Sequence, residues 1–140
     1  LIKQFGEHIQ IGSTLTFFDE NKSLKWERGA ITSLQRLELL KKIKENNIKT
    51  FASFEPVIEP EESLKLISAG LDTIDVYKIG KLNNYKGIDK NINWSDFLKK
   101  TVNILRKNKK KFYIKHDLRV SASDIKLYGN EVLPDEYNVY

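Results

Sequence analysis

The chain has 140 residues, 40% of them hydrophobic and 31% charged, with a net charge of +5. That length is one domain's worth, and no apolar run nears the roughly 18 residues of a membrane span. Cysteine is absent, which excludes disulfides, thiolate zinc sites, a cysteine nucleophile and cysteine-held iron–sulfur clusters within this chain. No basic and apolar leader stands at the start, so a cytoplasmic protein with no membrane partner is expected. Methionine is absent too, and Leu1 stands first; residues 1–140 are therefore expected to be a single α/β domain forming the C-terminal fragment of a larger protein.

Short β-rich runs alternate with longer amphipathic ones. His8 to Thr16 predicts a strand, followed by a polar connection from Asp19 to Lys25. A helix should begin near Thr32 or Ser33, with Leu34, Leu37, Leu40, Ile43 and also Leu39 at helical spacing, and end at Asn46-Asn47. A second strand runs from Ile48 to Phe54, and Glu55-Pro56 should break its ladder. Pro60, with Glu61 and Glu62 behind it, starts a short helix. Leu64, Leu66, Ile67 and Ala69 are its buried side, and Gly70 is its stop. Thr73 to Gly80 is the third strand, and Lys81 to Ile92 is a long polar loop. Asn93 or Ser95 caps a third helix whose stripe is Trp94, Phe97, Leu98, Thr101, Val102 and Leu105. Lys111 to Lys115 is the fourth strand, leading into His116-Asp117-Leu118-Arg119. A short helix is expected around Ser123 to Leu127, before a Pro-containing tail. Leu1 to Gly6 resembles the end of a further helix. Strand–helix alternation predicts a parallel sheet with right-handed crossovers. Since a full eight-unit barrel needs about 250 residues, the expectation is a partial parallel (β/α) barrel of about four strand–helix units.

Ligands of parallel α/β sheets bind beyond the carboxyl ends of the strands. Those ends offer Ser13, Thr14 and Thr16, then Ser53 and Glu55, then Lys81 and Asn83, then Lys115, His116 and Asp117. Other constellations carry less. His8 and His116 belong at opposite ends of different strands, so no metal site is read. His116-Asp117 is as readily a surface pair as an acid–base pair. Of Glu55, Glu59, Glu61 and Glu62, three read as helix-start acids. Gly80-Lys81 lacks the spacing of a phosphate loop. Tyr77, Tyr85 and Tyr113 could stack on a base or pack in the sheet. The run Arg106-Lys107-Asn108-Lys109-Lys110-Lys111 closes a helix, where cations suit the dipole.

Several stretches taken together resemble radical S-adenosylmethionine enzymes of the spore photoproduct lyase-like (DNA repair photolyase-like) branch. They are Ser13-Thr14, Trp26-Glu27-Arg28-Gly29-Ala30, Ser33-Leu34-Gln35-Arg36-Leu37-Glu38-Leu39-Leu40 and Phe54-Glu55-Pro56-Val57-Ile58-Glu59-Pro60. Tyr77 to Asn83 and Tyr113 to Leu118 extend the likeness, which covers about residues 8 to 119. The resemblance implies a partial barrel of about six strands whose opening portion carries a three-cysteine loop. That loop holds a [4Fe–4S] cluster, which cleaves S-adenosylmethionine to a 5′-deoxyadenosyl radical. By matching position it puts Ser13, Thr14, Ser53 and Glu55 at the cosubstrate, Arg36 at its carboxylate and Pro56-Val57-Ile58 beside the adenine. Lys81, Asn83 and Lys115 would face the substrate. The cysteine motif is absent here, so the resemblance implies that the cluster would belong to an N-terminal half outside this sequence and that this chain alone would be inactive. Glu59 also stands where relatives often have glycine or proline. The alternative is a non-catalytic nucleic-acid-binding or scaffolding α/β module using the basic run. Uncovered strand edges further imply a homodimer or domain swap.

Overall fold

The computed structural model describes residues 8–82 and 88–132. Strand β1 (Gln10–Thr14) is followed by helix α1 (Glu20–Trp26), where a polar connection is expected from the sequence. The helix holds because the Asp19 side chain accepts from the Lys22 N–H at 3.0 Å, and Glu20 sits in its first turn. Only Ser23 of α1 is buried, which is why no apolar period announces it. Helix α2 (Ser33–Glu45) begins at Thr32, whose side chain accepts from the Gln35 N–H while the Gln35 side chain accepts from the Thr32 N–H. This reciprocal cap satisfies two otherwise orphaned donors. Leu37 and Leu40 are buried and Leu34 packs on the core, but Leu39 is exposed. Asn46 caps the helix end, and Asn47 follows with φ 61°, a left-handed conformation that asparagine tolerates.

Strand β2 (Lys49–Val57) runs through the cis Glu55–Pro56 bond instead of stopping before it. Its pairing with β3 shifts register between Phe54 and Val57, so Pro56, which has no N–H to give, sits in a ladder irregularity where proline is tolerated. Helix α3 (Pro60–Ala69) and its Gly70 cap match the sequence pattern, although Ala69 is exposed. Thr73, Ile74 and Asp75 form a turn rather than a strand, with the N–H groups of Thr73 and Ile74 both donating to the Gly70 carbonyl. Strand β3 (Val76–Lys81), helix α4 (Trp94–Lys107) capped by Asn93, and strand β4 (Lys111–Ile114) follow. All six residues of the expected α4 stripe are buried. The last described α-helix, α5, is His116–Ser121, not Ser123–Leu127. Leu118 and Ala122, four apart, are the apolar residues buried in the core there, so the helical turn forms around them.

The four strands form one parallel sheet in the order β1-β2-β3-β4. The chain is thus an α/β structure, and its strands' carboxyl ends share one edge. Alternation and register divide the side chains between two faces. Ala52, Phe54, Tyr77, Ile79, Phe112 and Ile114 share one face, and all join a single buried cluster with Leu37, Leu66, Ile67, Phe97, Leu98 and Leu105 from the helices. Phe54 stacks on Tyr77 at 5.8 Å, and the Tyr77 hydroxyl donates to the Ile67 carbonyl of α3 at 3.0 Å. Burial raises the pKa of that phenol well above its ordinary value. The main core therefore lies between one face of the sheet and its crossover helices.

Below the sheet's amino edge, Asp75 joins three segments. It pairs with Lys44 of α2, and it accepts from the Thr50 N–H at 2.9 Å. Burial would raise its pKa, but the Lys44 ammonium and the Thr50 donors outweigh that and hold the carboxyl below its ordinary value. For Glu131 the Arg106 guanidinium does the same against a smaller opposing push from burial; for Glu62 burial is the largest influence, yet the Asp19 N–H and Lys65 prevail. Depressed folded-state values stabilise the fold above the unfolded value of about 4 and lose that contribution as pH falls through the folded values. Urea midpoints should therefore stay flat from neutral pH to about 5 and decline below about 4. Asp75→Asn should lower the neutral-pH midpoint and make the acid decline shallower.

Candidate functional site

The face turned away from the helices is organised in rows across the strands. Register places Gly12, Phe51, Val76 and Lys111 in one row, and Thr14, Ser53, Lys78 and Tyr113 in the next. Nearest the carboxyl edge come Glu55, Gly80 and Lys115. A Cβ at Gly80 would lie 3.0 Å from Glu55 Cδ and 3.1 Å from Lys115 Cδ, so both stems lie over the glycine and their charged ends pair above it. Phe51 lies over Gly12 in the same way. Lys78 Nζ stands 4.4 Å from the Phe51 ring centre, and Lys111 Nζ 5.7 Å from that of Tyr113. Such cation–ring contacts are each worth about 0.5–1 kcal/mol when exposed. Among the described residues no helix covers this face. Ser53, Glu55, Lys78, Tyr113 and Lys115 are all half-buried.

A polar knot supports the rim from outside. Arg36 reaches from α2 to β1, where Nη1 donates to the Thr14 carbonyl at 2.8 Å, and it forks onto Glu27 at 3.1 and 3.3 Å. Thr16 donates its hydroxyl to Glu27 at 3.3 Å and its N–H to the Ser33 hydroxyl at 2.9 Å. The turn between α1 and α2 that delivers Glu27 includes Gly29 at φ 81°, a conformation glycine adopts without a steric penalty. In this arrangement Arg36 acts on the site by fixing β1 to the α1–α2 turn, since Glu27 occupies its fork.

The residues singled out from the sequence fall into three groups. Thr14, Ser53, Glu55 and Lys115 come together on the open face at the carboxyl edge. Ser13 points the other way by alternation, and its hydroxyl donates to the Thr14 carbonyl at 3.4 Å. Val57 is fully buried in the main core, and Ile58 is buried with Phe17 and Leu82 in a second cluster. Trp26 packs edge-on against Phe17 at 6.0 Å. Lys81 alternates onto the helix side, where Nζ donates to Ser121 Oγ at 3.0 Å and lies 5.5 Å from the Trp94 ring centre. Asn83 and Tyr85 lie outside the described residues. His116 and Asp117 are exposed in the first turn of α5, and Tyr77 is core.

Sequence reasoning missed Lys78, whose flanking β-formers hid its place between Ser53 and Tyr113. It also missed Gly80 as the floor beneath an ion pair. Glu27 was visible in Trp26-Glu27-Arg28-Gly29-Ala30, yet only the fold shows which cation it meets. Among the described residues no group of three or more His, Asp or Glu side chains is placed to hold a metal ion. No described helix is long and apolar enough to cross a membrane. Compared with known proteins, the chain matches no family model, no curated protein and no solved structure.

The two ion pairs should respond differently to truncation. Glu27→Ala leaves Arg36 and Thr16 partly buried without their acceptor, and should cost about 1–3 kcal/mol. Glu55→Ala breaks a pair that is more than a third exposed on each side and should cost less than about 1 kcal/mol. Urea unfolding of both variants measures the difference.

Proposed function

We propose that the chain is the ligand-holding part of a parallel (β/α) barrel of the radical S-adenosylmethionine type, resembling spore photoproduct lyase-like proteins. The observation that supports this reading is the one-sided sheet. Strands run in sequence order, helices cover one face, and the other face carries layered side chains ending in a polar carboxyl rim. In a closed barrel such layers face inward and the rim surrounds the ligand. The open face is then the surface that further strands complete.

The rim's chemistry suits the cosubstrate. Glu55 accepts hydrogen bonds and Lys115 donates them, so the pair can open to receive the ammonium and carboxylate of an amino-acid moiety. The Thr14 and Ser53 hydroxyls, side by side in adjacent strands, offer partners to ribose hydroxyls. Arg36 holds β1 in place, and the Phe17, Ile58 and Leu82 cluster provides an apolar shoulder. The iron–sulfur cluster does not fit this chain, because its sequence has no cysteine and hence no thiolate to ligate iron. Any such cluster, and the radical chemistry it initiates, belongs to another segment. Lys81, in this reading, braces the rim against α5 rather than touching substrate.

Nuclear magnetic resonance titration with S-adenosylmethionine tests the assignment. Amide shifts should concentrate at Thr14, Ser53, Glu55 and Lys115, and Ser53→Leu should weaken binding by roughly tenfold, the loss of about 1.4 kcal/mol. Shifts scattered over the surface, or none at millimolar ligand, would refute it. The uncovered face and edges also lead us to expect that the chain by itself associates. Multi-angle light scattering should give a dimer, and a monomer at all concentrations would contradict that expectation.

A further inference from the structure

The opposite end of the sheet has different chemistry. Parallel strands joined by helical crossovers bring the strands' amino ends and the crossover helices' carboxyl ends to one side. There the chain places Lys44, Lys49, Arg106, Lys109, Lys110 and Lys111. The dipole preference of a helix end explains Lys44 and Arg106. It does not explain Lys49 or the three consecutive lysines, which lie past the helices. Of the described acids at this end, Asp75 is paired with Lys44 and Glu131 with Arg106, and Glu45 and Asp72 are the others.

Between the end of α4, the start of β4 and the Asn130–Glu131 turn lies a cavity of about 440 Å³, lined by Arg106, Lys109, Lys110, Lys111, Asn130 and Glu131. Arg106 is the wall's fixed member. It forks onto Glu131 at 2.8 and 2.6 Å and donates to the Lys126 carbonyl at 3.0 Å. Lys110 Nζ donates one bond, to the Ile74 carbonyl at 3.2 Å, from an ammonium with three donors. Lys109 is exposed on a left-handed turn at φ 54°. Beside the cavity Tyr128 is 56% exposed, with the Arg106 guanidinium 5.0 Å and Lys126 Nζ 5.9 Å from its ring centre.

From this juxtaposition we propose that the amino-terminal end of the sheet binds single-stranded nucleic acid. Lys109, Lys110 and Lys111 take backbone phosphates in the cleft, and Tyr128 stacks a base. Basic concavity beside an exposed aromatic is the combination such binding requires. An anionic membrane fits less well. The lining is concave, its apolar member Phe112 is 3% exposed, and interfacial binding needs apolar side chains to insert.

Fluorescence anisotropy of labelled oligothymidylate with the full chain tests the proposal. Raising salt from about 50 to 200 mM should weaken binding roughly tenfold or more, as release of a few counterions requires. Lys109→Ala with Lys111→Ala should weaken it by roughly tenfold at the lower salt and reduce the salt slope by about 1.4, roughly 0.7 for each phosphate contact on a single strand. Tyr128→Ala should weaken it severalfold and leave the slope unchanged. Lys25→Ala with Arg28→Ala, at the other end of the sheet, should change nothing, and circular dichroism confirms that each variant is folded. The proposal fails if the oligonucleotide does not bind at about 50 mM salt, if the distant pair matters as much as the cleft pair, or if phosphatidylserine vesicles displace it.

Discussion

The pairing of β2 with β3, and the burial of one side of that pair, is the constraint on which the remaining structure depends. Ala52, Phe54, Tyr77 and Ile79 are all fully buried on this side. Two rings stack there, and such a pair contributes about 0.5–1.5 kcal/mol beyond its buried area. A phenol taken into a core must find an acceptor, or it costs the desolvation of its hydroxyl. Tyr77 finds the Ile67 carbonyl near the end of α3, which fastens the crossover between the two strands to the sheet it connects. Once α3 is seated, the α4 stripe has a neighbour, and α5 closes over β3 through Leu118.

One-sided burial also explains how polar and charged groups are distributed. Polar residues facing the helices need partners, as Thr50 has in the Thr73 carbonyl and Lys81 in Ser121, and the other side chains that break the apolar pattern in β2, β3 and β4 alternate to the other face. Ser53, Glu55, Lys78, Tyr113 and Lys115 therefore meet as a consequence of pleating. Parallel topology separates the two ends as well. Acids that start helices gather at the carboxyl edge, while lysines that end helices or begin strands gather at the amino edge. A chain of modest net charge is thereby made electrically uneven along the strand direction.

Much of this architecture was legible in the sequence where the physics is local. Thr32, Asn93 and Pro60 announced their helices because capping and a proline at the first turn are decided within a few residues. Trp94, Phe97, Leu98, Thr101, Val102 and Leu105 stood out because period and burial agree. The errors arose where tertiary contacts decide. α1 has no apolar stripe and relies on the Asp19 cap and on Glu62, which accepts the Asp19 N–H at 2.7 Å. β2 passes through Pro56 because its partner shifts register to accommodate it. Helix α5 forms early because Leu118 is drawn into a core assembled from distant residues. At the site, the candidates Thr14, Ser53, Glu55 and Lys115 could be named from strand ends. Sorting them from Ser13 and Lys81 required the face of each strand, which depends on register.

The isolated parallel bridge between Ile114 and Val132 makes the two borders of the sheet unequal. On the β4 side the returning chain occupies part of the outer ladder, whereas on the β1 side no described strand does. Among the described strands, β1 is then the border more open to a partner. Two copies related by a twofold axis would have to join β1 to β1, and that axis forces the joined strands antiparallel. Each copy would then present its β1 border to the other's, and the described strands would make an eight-stranded mixed sheet.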